Sequence, residues 1–478
     1  MNHEWKQHWL GGTWAVASDP DAYYDVVNPS TEEIAGRVPH ASVDDALAAL
    51  SAARRAQESW GSSDVKERAA ILRAIAAGIR DRADELAALI TAEVGTPVSM
   101  SKALQVDLSA VFFDDAAALV EEFAFEYSTG STDVVLEPAG VVAAIVPWNF
   151  PLHQAATKLA YALAAGCTIV VKASPVAPLA LFALAEVMDE AGLPDGVVSV
   201  IAADGRTAGE AMVSSPDTGL VSFTGSTGAG RRVAALAAER VIPAALELGG
   251  KSASIVLNDL EPDAYAKAVK RTVSDCMLNA GQRCIALSRL LVPRTRLREA
   301  EQAATSALAR WIIGDPTSAA TTVGPMVSEV QRDSVTRHVD GAIREGARVA
   351  AQGSADMPGR GFFVQPVILS DVTIDMAVAT EEVFGPVLVI LAFDDEDDAV
   401  AVANSTPYGL SGAIWSSDAE HAKAVARRVR TGQISINGGV FDPKAPFGGR
   451  GDSGYGRECG ASGLEEFLVT KALLNVCS

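Results

Sequence analysis

Three residues of this 478-residue chain are of types that can carry out covalent acyl chemistry together: Cys284, Glu247 and Asn149. Cys284 lies in "NAGQRCIA", beside Gly281, Gln282 and Arg283. A reactive thiol needs access, a backbone that can turn, and a cation or N–H group that lowers its pKa. The loop has these ingredients, although adjacent side chains on an extended chain point apart, which works against help from Arg283. The competing reading is a buried structural thiol. Glu247, in "ALELGGKS", is a carboxylate between apolar residues at a strand end. Desolvation there raises its pKa, which suits a general base. Gly249 and Gly250 let a backbone or ligand approach closely. The competing reading is an ion pair with Lys251. Asn149, in "VPWNFP", places an amide donor where a buried strand stops and Pro151 opens a helix. Strand ends of this kind carry ligands in open α/β sheets, and an amide there can stabilise an oxyanion. Capping the helix is the simpler role. The six histidines, His3, His8, His40, His153, His338 and His421, lie in helical or terminal contexts, so the expected base is a carboxylate.

Two further stretches suit a phosphate-bearing ligand. "FTGSTGAG" (223–230) is a glycine-rich turn between a strand and a helix, whose N–H groups can hold phosphate. Its G-x-x-G-x-G order differs from the usual dinucleotide fingerprint. "VVKASP" (170–175) puts Lys172 at another strand end, within reach of a ribose hydroxyl or phosphate, or else on the solvated surface.

These residues need a scaffold, and the patterning supplies one. From 140 to 260, continuous apolar strands alternate with helices: "GVVAAIVPWN", "PLHQAATKLAYALAAG", "CTIVVKAS", "PLALFALAEVMDEAG", "VVSVIAA", "GLVSFTGS", "GAGRRVAALAAE" and "AALELGG". Such alternation predicts a parallel sheet covered on both faces. A second α/β region runs from about 263 to 440, and residues 42 to 94 are mostly helical. Two strand-like stretches, 132–138 and 464–476, fit neither region. They are an arm that pairs with another subunit or an edge strand of the same one.

Composition narrows the function. The chain is 49% hydrophobic and 21% charged, with a net charge of −21. That charge disfavours nucleic acid and anionic membranes as partners. The polar N-terminus predicts no cleaved leader, and no apolar run reaches the roughly 18 residues of a membrane span. Five scattered cysteines, Cys167, Cys276, Cys284, Cys459 and Cys477, form neither a disulfide framework nor a zinc spacing. No metal is expected, and the expected compartment is the cytoplasm.

The motifs "PWNFP", "KASP", "FTGSTGAG", "LELGGKS", "GQRC", "EEVFGP", "TPYGLS", "APFGG" and "SGYGRE" occur in this order. From about residue 11 to the C-terminus the chain resembles the aldehyde dehydrogenase superfamily. The resemblance implies a Rossmann-like cofactor domain (1–119 and 139–249), a second α/β catalytic domain (250–450), and a small β oligomerisation arm with a C-terminal strand (120–138 and 451–478). It implies Cys284 as nucleophile, forming a thiohemiacetal and then a thioester. It implies Asn149 and the Cys284 N–H as oxyanion donors, and Glu247 as the base that activates water. Pro147, Trp148, Lys172, Ser174, Gly225, Ser226, Glu382 and Phe384 are the implied cofactor residues. Phe150, His153, Thr157, Leu278, Arg283, Ile285, Phe441 and Phe447 are the implied substrate-pocket residues. The implied assembly is a homodimer or homotetramer.

Two departures bear on chemistry. Many NAD-specific members carry a glutamate three residues after the motif lysine, where this chain has Pro175. No basic cluster surrounds "KASP" and the net charge is negative, so NAD is the expected cofactor, with NADP accepted less efficiently because the repelling glutamate is missing. Arg283 resembles acylating semialdehyde dehydrogenases, which use coenzyme A but typically lack the glutamate that Glu247 supplies. A thiol esterase without redox chemistry and a catalytically silent homologue are further alternatives. The pocket positions are mainly apolar, which points to a medium-sized apolar or aromatic aldehyde.

Overall fold

The computed structural model describes residues 3–353 and 356–474. Cys477 and the last two residues of the 464–476 stretch lie outside the described residues.

The predicted strands assemble as a parallel sheet. In spatial order its five central members are Val198–Ala202, Ile169–Ala173, Val142–Ile145, Leu220–Thr224 and Ala244–Glu247. All adjacent pairs among them are parallel. The first four are buried at every position, which explains their mainly apolar character. Chain order reverses at Val142–Ile145, so the crevice between it and Leu220–Thr224 is the topological switch point of a Rossmann-like fold. Two N-terminal strands, His8–Leu10 and Thr13–Ala15, extend one edge antiparallel. Gly454–Tyr455, within the stretch expected to belong to the arm, instead closes the other edge against Ala244–Glu247.

Helices cover both faces. Pro151–Ala165 starts with proline at its first turn and ends at Gly166 in the left-handed conformation; every residue but His153 is buried. Val43–Gly61 begins with a capping box between Ser42 and Asp45.

The second sheet has seven strands: Arg348–Gln352, Val367–Ser370, Val387–Phe393, Arg289–Pro293, Ala253–Val256, Gly412–Trp415 and Ser435–Ile436. Only the first is antiparallel to its neighbour. Glu247 ends a strand of the first sheet and Ala253 opens a strand of the second. The carboxyl edge of one sheet therefore meets the amino edge of the other at residues 248–252.

The two unplaced stretches pair with each other. Thr132–Pro138 runs antiparallel to Leu468–Leu474 on one side and to Glu126–Thr129 on the other, making a separate three-stranded arm. Residues 460–465 are helical, so the C-terminal strand starts later than its hydrophobic pattern suggested. Among the described residues no helix is long and apolar enough to cross a membrane.

Candidate active site

Cys284 sits five residues before the strand Arg289–Pro293, facing the junction of two cavities. Its loop is held by unusual backbone. Asn279, Ala280 and Gly281 are consecutively left-handed, with φ of 52°, 53° and 72°. A Cβ at Gly281 would strike the Gly385 carbonyl, so only glycine fits there. Side chains lock the turn: the Thr96 hydroxyl donates to Asn279 Oδ1 at 2.6 Å, and Gln282 Nε2 donates to the Asn279 carbonyl at 3.2 Å. Gln282 Oε1 accepts from Val327 N at 2.9 Å. These polar ties hold Asn279 and Gln282 in place, a role not assigned from the sequence.

Asn149 is not a helix cap. Phe150 occupies the cap position and no side chain bonds there. Asn149 Nδ2 instead donates to the Gln282 carbonyl at 3.0 Å, while Asn279 Nδ2 donates to the Asn149 carbonyl at 3.2 Å. This reciprocal tie joins the two sheets beside Cys284. The second Nδ2 proton remains for a ligand.

Glu247 is 4% exposed and both its carboxylate oxygens lack hydrogen-bond partners among the described residues. The ion pair with Lys251 does not form. Burial holds the Glu247 pKa well above the usual carboxylate range, and nearby Glu458 pushes the same way; Lys158 and Arg457 oppose them. Lys158 is itself locked to Glu458 at 2.6 Å and donates to Ser222 at 3.0 Å. A Cβ at Gly448 would come within 2.8 Å of Glu247 Oε1, so this glycine leaves the carboxylate its room. The motif "SGYGRE" thus supplies Arg457 and Glu458 to the electrostatics of the base.

Cys284 is half-buried. Burial pushes its thiol up to about 12, reinforced by Glu382 and Glu247 and opposed by Arg283. The thiol therefore rests protonated. Arg283 gives little direct help: its Nη1 donates to the Asp275 carbonyl at 3.0 Å and faces the Asp275 carboxylate at 3.5 Å.

One cavity, about 270 Å³, includes Pro147, Trp148, Gly225, Ser226, Glu382 and Phe384 among its walls. All six were expected cofactor residues. Trp148 and Phe384 meet edge to face at 5.5 Å, with Phe384 left-handed at φ 53°. Glu382 Oε1 accepts from Gly250 N at 3.0 Å, and burial raises its pKa to about 7. Gly225 and Ser226 precede the helix Thr227–Glu239, with Ser226 as its cap. The residues fit a nicotinamide nucleotide: an aromatic slot, a carboxylate for hydroxyls, a helix N-terminus for phosphate, and a buried Thr224 hydroxyl without a partner among the described residues. Thr224, Leu248, Gly249, Gln331 and Ser334 also line it and were not singled out for it from the sequence.

Lys172 and Ser174 lie outside this cavity, farther along the same sheet edge. Lys172 is not a solvated surface lysine. It is 3% exposed, its Nζ donating to the carbonyls of Ala203 at 2.7 Å and Ala173 at 3.2 Å. Burial lowers its pKa to about 8, with Asp204 opposing.

The second cavity, about 110 Å³, is lined by the expected Phe150, His153, Arg283, Ile285, Phe441 and Phe447. Two expected members fall elsewhere. Thr157 is turned into its own helix, its hydroxyl donating to the Gln154 carbonyl at 3.1 Å. Leu278 lines a wider outer cavity of about 780 Å³ instead. Leu104, Leu108 and Gln154 line the narrow cavity and were not predicted. Leu104 lies in a π-helical stretch, Ser101–Val106, which no sequence pattern announced. His153 is a cavity residue among aromatic rings, not an ordinary helical histidine.

Comparison with known proteins agrees with this geometry. The aldehyde dehydrogenase family profile matches residues 14–473. The chain is 41% identical to 3-succinoylsemialdehyde-pyridine dehydrogenase of a Pseudomonas species and 42% identical to geranial dehydrogenase of Castellaniella defragrans. Each match covers 98% of both proteins. A cysteine-to-alanine mutant of aldehyde dehydrogenase C from Pseudomonas syringae, complexed with NAD+ and octanal, superimposes with a TM-score of 0.95. It is 39% identical, over 98% of this chain and 96% of that one. Mycobacterium tuberculosis aldehyde dehydrogenase complexed with NAD+ gives 0.96 at 40% identity, over 100% of this chain and 99% of that one. The chain belongs to the aldehyde dehydrogenase family and is an oxidoreductase acting on aldehydes.

Proposed function

We propose that the chain oxidises a medium-sized apolar or aromatic aldehyde to its carboxylic acid with NAD+, through a covalent thioester on Cys284. One observation carries this reading: Cys284 and Asn149 line both cavities, and the unpartnered Glu247 carboxylate lies near enough to act electrostatically on the Cys284 thiol. The bound nicotinamide supplies a hydride acceptor. Cys284 Sγ gives up its proton to solvent and adds to the aldehyde carbon. Asn149 Nδ2 and the Cys284 N–H hold the resulting oxyanion. Loss of hydride leaves the thioester. Glu247, in its ionised form, takes a proton from water, whose oxygen attacks the thioester carbon and releases the acid. The presence of Glu247 favours water over coenzyme A as the acceptor. The redox cavity disfavours a simple esterase.

Steady-state assays of an aldehyde panel with NAD+ and NADP+ test the reading. NADH formation is expected with apolar aldehydes of medium size; ester hydrolysis alone, without NADH from any aldehyde, contradicts it. Asn149→Ala removes one oxyanion donor, worth roughly 2.7–4 kcal/mol, so kcat falls by about 10² or more. A near-normal kcat in this variant refutes the oxyanion role.

Lys172, Ser174 and Pro175 are assigned to the adenosine end of the cofactor. The net charge of −21 favours the less anionic NAD, and Pro175, which neither bonds a ribose nor repels a 2′-phosphate, leaves that preference incomplete. Pro175→Glu is expected to lower kcat/KM for NADP more than for NAD. An unchanged ratio shows that position 175 does not face the ribose.

We assign 1–119 and 139–249 to the cofactor domain, 250–450 to the catalytic domain, and the three-stranded sheet to subunit contact in a homodimer or homotetramer. The arm's outer strand exposes Val469, Leu473 and Leu474, which supports that role. A cytoplasmic site of action follows from the scattered thiols.

A further inference from the structure

The narrow cavity in front of Cys284 has six apolar lining residues: Leu104, Leu108, Phe150, Ile285, Phe441 and Phe447. Beyond Asn149, Cys284 and the Asp275-bound Arg283, it holds two polar side chains, His153 and Gln154. Both belong to the first turn of the helix Pro151–Ala165. The reaction as derived uses neither.

His153 Nδ1 lies 3.3 Å from the Leu104 carbonyl oxygen. A carbonyl only accepts, so Nδ1 carries the proton of the neutral ring and Nε2 is left as an acceptor. Nε2 has no hydrogen-bond partner among the described residues. Aromatic neighbours hold the ring: Phe112 edge-on at 4.9 Å, Phe150 at 6.0 Å and Phe441 at 6.4 Å. Burial lowers the imidazole pKa to about 4, with Glu458 opposing and Arg283 reinforcing it. The ring is therefore a neutral acceptor at neutral pH.

Gln154 is an independent sign that this cavity takes a polar ligand. It is 7% exposed, lines both cavities, and its Oε1 is buried without a partner among the described residues. Buried polar groups are ordinarily hydrogen-bonded, and leaving one unpaired is costly. A hydrocarbon aldehyde leaves both groups unsatisfied. A carboxylate-bearing aldehyde brings only acceptors to the bare acceptor of His153. A hydroxyl brings a proton to donate.

We propose that His153 is a specificity-determining residue that accepts a hydrogen bond from a substrate hydroxyl. The preferred substrates are then hydroxylated aldehydes on an apolar or aromatic frame. This rests on the reading of the narrow cavity as the aldehyde site. Gln154 offers its amide to the same polar part of the substrate.

The test compares kcat/KM for matched sets with NAD+. One set is n-alkanals of six to nine carbons, their ω-hydroxy analogues and the methyl ethers of those. The other is benzaldehyde, its meta and para hydroxymethyl derivatives and their methyl ethers. In the wild type at least one hydroxylated member is expected to exceed both its parent and its ether by roughly tenfold, the size of one net hydrogen bond. The ether keeps the oxygen and exchanges the donor proton for a methyl group. His153→Phe, which keeps a ring but removes the acceptor, should bring that ratio close to one. His153→Leu serves the same purpose if the larger ring disturbs folding. The proposal is overturned if no hydroxylated member is preferred in the wild type, or if the preference survives in both variants. Those outcomes differ from a failure of the aldehyde-site reading, in which the parent aldehydes give no NADH either.

Discussion

Cys284→Ala is expected to abolish aldehyde oxidation, by about 10⁴-fold or more, while NAD binding persists. The thiol forms the bond that the rest of the site serves, and no neighbouring group can replace it. Cys167, Cys276 and Cys459 are fully buried. Burial raises the Cys167 and Cys276 thiols to about 12, as it does Cys284, and the Cys459 thiol well above its ordinary value, so access rather than acidity separates them. Cys284 alone among the four described thiols faces a cavity. Iodoacetamide should accordingly label Cys284 ahead of the others, in step with loss of activity. Calorimetric titration with NAD should give near wild-type affinity for the alanine variant. Activity retained in the variant, or lost in step with labelling of Cys276 or Cys459, removes Cys284 from its role.

Glu247→Gln is expected to slow thioester hydrolysis by about 10²–10⁴-fold while sparing hydride transfer. The amide keeps the shape of the carboxylate but accepts no proton from water. Rapid mixing with aldehyde and NAD+ should give a burst of NADH near one equivalent per site, then slow turnover. The pH dependence has a defined sign. Burial and Glu458 raise the pKa of Glu247, so the carboxylate is protonated at low pH and becomes a base as pH rises. Wild-type hydrolysis should therefore increase with pH through a midpoint above the usual carboxylate range. The Gln variant should lose that rise. A variant with no burst and no acyl-enzyme places Glu247 before hydride transfer.

The sequence exposed those parts of the molecule that are written locally. The apolar strands alternating with helices announced the parallel sheet, because a strand buried on both faces is mostly apolar. Glu247, Asn149 and Cys284 were conspicuous because each is a polar residue at a strand end or turn. The simpler readings of Asn149 and Glu247 failed for reasons only tertiary structure supplies: Asn149 bonds to Gln282, 133 residues away, and Glu247 faces no Lys251. Lys158 and Glu458 are 300 residues apart, so their buried pair leaves no local pattern. The π-helical stretch that brings Leu104 to the pocket runs directly into the helix Asp107–Glu122, so no local break marks it. Thr157 sits on the cavity's helix but turns inward, because its hydroxyl bonds a carbonyl one turn back. His153 looked ordinary as a base candidate because two of its ring's aromatic neighbours, Phe112 and Phe441, come from distant segments.

The central claim is that oxidation passes through a thioester on Cys284, which Glu247 clears by activating water. Mass spectrometry of the Glu247→Gln variant, quenched in acid during its first turnover with aldehyde and NAD+, tests this most directly. The account predicts an added mass equal to the acyl group, confined to the peptide that contains Cys284, and matched in amount to the NADH burst. NADH formed with no acyl mass on any peptide, or with that mass on a different cysteine, contradicts it.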